Sequence, residues 1–151
     1  MWSLLVFLLL VATTAFSGAL FPPGDWYAAL QKPVWTPPNW LFGPVWTLFY
    51  IGMAIAGWRV WRRAGGRFNP ALGCWAGQLA LNGLWSWLFF GLHRPDLAMV
   101  DISGLLVLII LFMVFARRYS VAAAWLFVPY ALWVGFAAAL NFAIWRLNPP
   151  L

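Results

Sequence analysis

Amide and aromatic side chains recur at helical spacing inside the most apolar parts of the sequence. Gln78, Asn82, Trp85 and Phe89 are separated by four, three and four residues, so they share one face of a helix. Two further stripes repeat every four residues, one made of Phe42, Trp46 and Tyr50 and the other of Trp133, Ala137 and Asn141. Three helices are therefore predicted to present an aromatic face, and two of those faces carry an amide.

Convergence of these faces would form an apolar pocket with a few polar anchors, which is the usual composition of a small-molecule site. Flat aromatic walls suit a flat, hydrophobic, partly polar ligand such as a tetrapyrrole or a sterol. Ala137 would leave volume between Trp133 and Asn141, or would simply allow close helix approach. The alternative is that the stripes are packing surfaces with amides bonded between helices.

Conventional hydrolytic and metal chemistry is excluded by composition. The chain has one histidine, His93, one cysteine, Cys74, and no glutamate. Neither a set of metal ligands nor a Ser-His-Asp triad can be assembled from these residues, so we predict no metal site and no required cofactor.

The overall composition indicates a membrane protein. Of 151 residues, 65% are hydrophobic and only 8% are charged, far from the soluble average of about 25% charged. The net charge of +6 is sparse and lacks the clustered basic stripe of a nucleic-acid-binding protein. We therefore expect a bilayer-embedded protein that binds no nucleic acid.

Five apolar segments are long enough to span a bilayer, which takes about 20 residues. They cover residues 2–20, 40–61, 71–92, 97–116 and 121–145. The first lacks the basic start of a secretory signal, so we expect a retained helix. The prediction is an all-α bundle of five transmembrane helices in a single domain, residues 1–151.

The segment between the first two spans is rich in proline and tryptophan. It contains Pro22, Pro23, Pro33, Pro37 and Pro38, which interrupt regular helix. Its tryptophans and tyrosine should pack on something, so we predict an extended loop that covers the bundle as a lid.

Basic residues are distributed unevenly between the two sides of the predicted bundle. Arg59, Arg62, Arg63, Arg67, Arg117 and Arg118 fall on one side, and Lys32, Arg94 and Arg146 on the other. The positive-inside rule then predicts a cytoplasmic N-terminus and favours a bacterial inner membrane.

Three local features have more than one interpretation. Asp101 would pair with Arg94, cap its helix or face the pocket. Leu140 to Arg146 resembles the proposed cholesterol-contact pattern, with Phe142 in place of its tyrosine. Small residues on the third span form a seam for close helix approach, within the bundle or across a homodimer: Gly73, Ala76, Gly77 and Ala80.

Motifs along almost the whole chain resemble the tryptophan-rich sensory protein family, the bacterial counterpart of the mitochondrial translocator protein or peripheral benzodiazepine receptor. The motifs are Trp26-Tyr27, Gln31-Lys32-Pro33, the run from Trp35 to Trp40, Gly43-Pro44-Val45-Trp46, Gly77 to Asn82, Phe89-Phe90-Gly91, Pro129-Tyr130, and Leu140-Asn141-Phe142 with Trp145-Arg146. They occur in the family's order.

The resemblance implies a five-helix, usually homodimeric membrane protein that binds protoporphyrin, haem-related tetrapyrroles, sterols and benzodiazepine-type ligands below the first loop. By position, the implied pocket contains Tyr27, Pro37, Trp46, Tyr50, Asn82, Trp85, Trp133 and Ala137, and the implied sterol segment contains Asn141, Phe142 and Arg146. We expect a sensor or transporter of such ligands, with protoporphyrin IX or a haem-like tetrapyrrole as ligand. The alternatives are a light-dependent porphyrin-degrading enzyme that uses Trp46 and Trp133, and a passive scaffold.

Overall fold

The computed structural model describes residues 2–149, and these are helical except for loops and turns. The helices are α1 (Trp2–Leu20), α2 (Asp25–Ala29), α3 (Asn39–Arg63), α4 (Pro70–Ser86), α5 (Pro95–Ala116), α6 (Val121–Leu126) and α7 (Val128–Leu147). A π-helical turn, Trp87–Gly91, continues α4. The predicted all-α membrane architecture is confirmed.

Four helical stretches are long and apolar enough to cross a bilayer: Trp2–Leu20, Asn39–Arg63, Pro95–Ala116 and Val121–Leu147. The third predicted span is divided between α4, which has 17 residues, and the π-helical turn. The number of five membrane crossings therefore stays a prediction.

Local sequence explains where the helices begin and end. Asn69 and Ser120 cap α4 and α6 by accepting from the backbone amides of Leu72 and Ala123. α3 ends at Arg63 and is followed by Gly65 and Gly66, whose φ values of 66° and 72° favour glycine. Near Pro129, which has no backbone N–H to donate, the fifth predicted span is interrupted between α6 and α7.

The main core lies where α1, α3, α4, α5 and α6 meet. α1 belongs to it: Phe7 packs edge-on against Trp75 at 4.9 Å between ring centroids. Thr14 and Ser17 donate hydrogen bonds to the carbonyls of Leu79 and Gly83 on α4, both at 3.4 Å. α5 packs against α4 and α7. Space remains between α3, α4 and α7 at the end of the bundle that carries the loop between α1 and α3.

A smaller cluster joins the loop to that end of the bundle. Tyr27 of α2, Phe89 of the π-helical turn, Ala98 of α5, and Leu140 and Ile144 of α7 are all buried within it. The predicted extended loop thus contains one short helix and is packed against the bundle.

Candidate functional site: an aromatic cavity beneath the loop

A cavity of about 600 Å³ lies beneath the loop. α1, α3, α4, α5 and α7 supply its walls, and Phe21, Pro23 and Tyr27 enter from the loop side. Nine of the predicted pocket residues line it: Tyr27, Trp46, Tyr50, Asn82, Trp85, Phe89, Trp133, Ala137 and Asn141. Residues of all three stripes therefore converge on one cavity.

The remaining predicted residues lie elsewhere. Pro37, half-buried in the loop, is not among the residues that line the cavity. In the predicted sterol segment, Leu140 lines the cavity, whereas Phe142 is 49% exposed and Arg146 is exposed. Phe142 packs on Trp145, 6.2 Å away between ring centroids. The segment thus presents one side to the cavity and the other to the outer surface.

Two stacked pairs of rings form much of the wall. Trp46 stacks on Tyr50 with 5.5 Å between centroids and 30° between planes. Trp85 stacks on Phe89 with 4.9 Å between centroids and 19° between planes. The helical stripes place these rings next to each other because residues four apart on a helix lie on one face. Flat faces of this kind favour a planar ligand.

A chain of hydrogen bonds runs from the cavity wall into the core. Tyr50 donates to Asn82 Oδ1 (3.2 Å), and Asn82 Nδ2 donates to the Tyr130 hydroxyl (2.9 Å). Tyr130 then donates to Gln78 Oε1 (3.0 Å). Gln78 is fully buried and does not line the cavity. The two amides of α4 are therefore held by tyrosines of α3 and α7, which fixes the wall.

The Asn141 side chain links α7 to α4 and α5 by hydrogen bonds. Trp85 Nε1 donates to Asn141 Oδ1 at 3.1 Å, and Asn141 Nδ2 donates to the Pro95 carbonyl at 2.8 Å. Asn141 is 1% exposed, and its bonds fix the Trp85 ring against the first residue of α5.

The indole ring of Trp133 lines the cavity. Its Nε1 is buried and has no hydrogen-bond partner among residues 2–149. Phe49 lies beside this ring at 6.1 Å and beside Trp46 at 6.2 Å between centroids, so one phenylalanine contacts both tryptophans. The Trp133 ring therefore contributes its apolar surface to the cavity, while its buried N–H carries no hydrogen bond within the described residues.

The prediction that Asp101 pairs with Arg94 or caps its helix is wrong. Arg94 binds Asp96 in a two-pronged pair, with N–O distances of 2.8 and 2.6 Å. Asp101 is buried on α5, and neither carboxyl oxygen has a partner within the described part of the chain. Asp96 occupies the first turn of α5, so Arg94 reaches it two residues away.

The Asn148 side chain, directly after α7, forms hydrogen bonds with the loop. Asn148 Oδ1 accepts from the Gln31 backbone amide at 3.0 Å, and Asn148 Nδ2 donates to the Gln31 carbonyl at 2.9 Å. Trp35 also packs on Phe136 at 5.5 Å. Lys32 lies 4.6 Å from the Tyr27 ring centroid, and burial raises the pKa of the Tyr27 phenol. Position 148 thus holds the loop in place over the cavity.

We expect Asn148→Ala to loosen the loop, because both hydrogen bonds to Gln31 are lost. Amide hydrogen exchange in residues 26–36 should accelerate by roughly tenfold, the equivalent of one or two hydrogen bonds. The control is Leu147→Ala at the exposed neighbouring position, which should leave exchange unchanged. Equal exchange in both variants would contradict the assigned role.

Sequence reasoning missed several residues that the structure brings to the site. Tyr130, 1% exposed, joins the two amides of α4. Its spacing to Trp133, Ala137 and Asn141 would have identified it on the same helix face. The contributions of α1 and α5, including Ala15, Gly18, Ile102 and Leu105, had no comparable polar signal.

The residues of the predicted small-residue seam on α4 do not all face the same way. A Cβ at Gly77 would lie 3.0 Å from Leu108 of α5, so this glycine serves packing within the chain. Ala76 and Ala80 are exposed and continue into the exposed Leu84. Gly73 lies beside the Phe68 ring. Half of the seam is therefore available to another molecule.

Comparison with known proteins gives one consistent match. The TspO/MBR family matches residues 4–146. Protein CrtK of Rhodobacter capsulatus is 46% identical, covering 95% of this chain and 91% of its own length. The tryptophan-rich sensory protein of Cereibacter sphaeroides is 41% identical (97% and 92%), and the human translocator protein is 40% identical (88% and 82%).

Proposed function

Because this chain belongs to the TspO/MBR family, we propose that it is a membrane receptor or sensor that binds tetrapyrroles in the cavity beneath its loop. It is an integral membrane protein, as its apolar helices and its relatives indicate. Protoporphyrin IX or a haem-like tetrapyrrole is the proposed ligand. Sterols and benzodiazepine-type compounds are proposed as further ligands.

The observation that carries this proposal is the cavity itself. Its volume of about 600 Å³ lies within the usual range of about 300–1,000 Å³ for small-molecule sites. The stacked pairs Trp46–Tyr50 and Trp85–Phe89 provide flat walls for a planar macrocycle. The polar side chains of Tyr50 and Asn82 in the wall would provide the few polar contacts that orient such a ligand.

Titration of the purified protein with protoporphyrin IX tests this proposal. We expect saturable quenching of tryptophan fluorescence, because several indoles line the cavity within energy-transfer distance of a bound porphyrin. Haem should compete with protoporphyrin IX for the same site. Quenching that stays linear with porphyrin concentration would contradict specific binding and favour a scaffold without a ligand.

Sterol binding is proposed for the outer side of α7. Leu140 reaches the cavity, whereas Phe142 and Arg146 are exposed on that helix. A sterol in the bilayer would contact Phe142 from the lipid, without entering the cavity. The exposed phenyl ring offers apolar contact but lacks the hydroxyl that the tyrosine of the cholesterol-contact pattern supplies.

A second candidate function is light-dependent degradation of protoporphyrin. The observation that favours it is that Trp46 and Trp133 both line the cavity and share Phe49 as a neighbour. Both indoles would therefore lie next to a bound, photoexcited porphyrin.

Under this second candidate, the double variant Trp46→Phe with Trp133→Phe should abolish porphyrin loss in light while dark binding persists. Phenylalanine keeps an aromatic wall but removes the easily oxidised indole. The measurement is porphyrin absorbance during illumination, with Trp125→Phe on the exposed surface as the matched control. Unchanged photodegradation in the double variant would eliminate these tryptophans as the reactive groups.

We also propose that the N-terminus is cytoplasmic and the cavity lies towards the opposite face of a bacterial inner membrane. Arg59 Nε donates to Ser120 Oγ at 3.4 Å, so the α3–α4 and α5–α6 loops share one end of the bundle. Trp58 Nε1 donates to Ser3 Oγ at 3.2 Å, which brings the start of α1 to the same end. Six of the nine basic residues lie there, as the positive-inside rule requires of a cytoplasmic side.

A homodimer through α4 is proposed as the assembled form. Ala76, Ala80 and Leu84 form an exposed stripe at spacings of four residues, and small residues of this kind permit close approach of two helices. Gly77 contributes to the seam only from inside the chain, against Leu108.

A further inference from the structure

A second cavity lies at the opposite end of the bundle from the aromatic one. Its volume is about 290 Å³, and Trp58, Arg59, Arg62 and Arg63 line it. These residues form the last turns of α3, a membrane-spanning helix that ends at Arg63. The cavity is therefore at the level where a spanning helix meets the lipid headgroups.

Within residues 2–149, no carboxylate forms a salt bridge with the arginines of this cavity. The chain contains three acidic residues, Asp25, Asp96 and Asp101. Within residues 2–149, the salt bridge that forms is Arg94–Asp96, outside this cavity. Three adjacent guanidinium groups without a counter-charge create a strongly positive potential that attracts an anion.

Neighbouring contacts hold the cavity in shape. Trp58 Nε1 donates to Ser3 Oγ of α1 (3.2 Å), and the Arg62 guanidinium lies 5.2 Å from the Trp58 ring centroid. Arg59 Nε donates to Ser120 Oγ (3.4 Å). The remaining guanidinium N–H groups of Arg59, Arg62 and Arg63 are left to bind a ligand, and planar guanidinium groups match phosphate oxygens in pairs.

We propose that this cavity binds the phosphate group of an anionic phospholipid from the leaflet at the basic end of the bundle. A lipid is favoured over a soluble phosphate because the site lies on the last turn of a spanning helix. Trp58 also fits a position at the membrane surface, since indole rings prefer the membrane–water interface. The site is separate from the aromatic cavity and does not depend on the ligand proposed there.

Lipid competition in nanodiscs tests the proposal. The full-length protein is reconstituted in phosphatidylcholine with a minor fraction of phosphatidylglycerol, and the lipids retained on the protein are counted by native mass spectrometry. We expect one phosphatidylglycerol to be retained in preference to phosphatidylcholine. The pair Arg62→Gln with Arg63→Gln should weaken that preference by at least roughly tenfold, since the charge-assisted hydrogen bonds from these two guanidinium groups to the headgroup are lost.

The matched control is Arg117→Gln with Arg118→Gln, which removes the same charge from the same end but outside the cavity. We expect its lipid preference to stay within about twofold of the unsubstituted protein. Equal losses in both pairs would overturn the proposal, because bulk attraction to the membrane would explain them.

A charge-preserving double variant and displacement by inorganic phosphate complete the test. Arg62→Lys with Arg63→Lys preserves the charge, so folding, insertion and the preference for phosphatidylglycerol should persist, yet the fraction of protein that retains a lipid should fall at least threefold because ammonium groups cannot chelate two phosphate oxygens. An unchanged retained fraction in the lysine pair would overturn the proposed headgroup contact. Displacement of the retained lipid by millimolar inorganic phosphate would overturn the lipid assignment in favour of a soluble phosphate.

Discussion

Ala137→Phe should weaken protoporphyrin IX binding by roughly ten- to hundredfold, which is the effect of overfilling a packed site by about 1–3 kcal/mol. Ala137 lines the aromatic cavity on α7, between Trp133 and Asn141. A phenyl ring at this position would occupy the space that the methyl group leaves to a ligand. The measurement is the concentration dependence of tryptophan quenching by the porphyrin.

The chain offers a closely matched control for this substitution. Ala139 lies two residues further along the same helix and is exposed. Ala139→Phe therefore adds the same group outside the cavity, and porphyrin affinity should stay within about twofold of the unsubstituted protein. Equal affinity in the two variants would place the porphyrin outside the cavity and refute the proposed site.

Gly57→Ala should destabilise the bundle by about 1–3 kcal/mol, which is a large effect for one methyl group. A Cβ at this position would lie 2.6 Å from Trp75 Cε2 and 2.9 Å from Phe7 Cδ1. The Trp75 ring has little freedom to move away, because its Nε1 donates to the Met53 carbonyl at 2.8 Å. Thermal unfolding in detergent micelles, followed by circular dichroism, measures the loss.

Gly43→Ala is the control, since it lies on the same helix α3 with nothing within 4 Å of the added Cβ. Its stability should match that of the unsubstituted protein. The double variant Gly57→Ala with Trp75→Phe should lose less stability than the sum of the two single losses, because the smaller ring leaves space for the methyl group. Strict additivity would show that the clash with Trp75 is not the cause.

Helix positions and pocket faces were determined largely by local sequence. Trp46 and Tyr50, or Trp85 and Phe89, share a face because residues four apart on a helix are neighbours whatever the fold. Burial of polar groups in an apolar environment is costly, so amides such as Asn82 and Asn141 had to point inward. Together these two constraints indicated eight of the nine predicted residues that line the cavity, and the ninth, Tyr27, was implied by the family resemblance.

Other features depended on which helices meet, and spacing carries no information about that. Tyr130 became the centre of the hydrogen-bond chain only because α7 packs opposite Gln78 and Asn82. Asp101 was expected to pair with Arg94, but Asp96 lies closer along the chain and binds that arginine.

The sequence by itself determined the membrane class and the helical faces, because composition and periodicity are local properties that survive any arrangement of the helices, and its motifs carried the resemblance to the family. Only the tertiary structure decided that the faces line a cavity of about 600 Å³, that Asn148 binds the loop, and that Arg59, Arg62 and Arg63 line a second, open pocket. The reason is that a cavity is space left between helices, and its volume depends on their separation and rotation, which no single segment encodes.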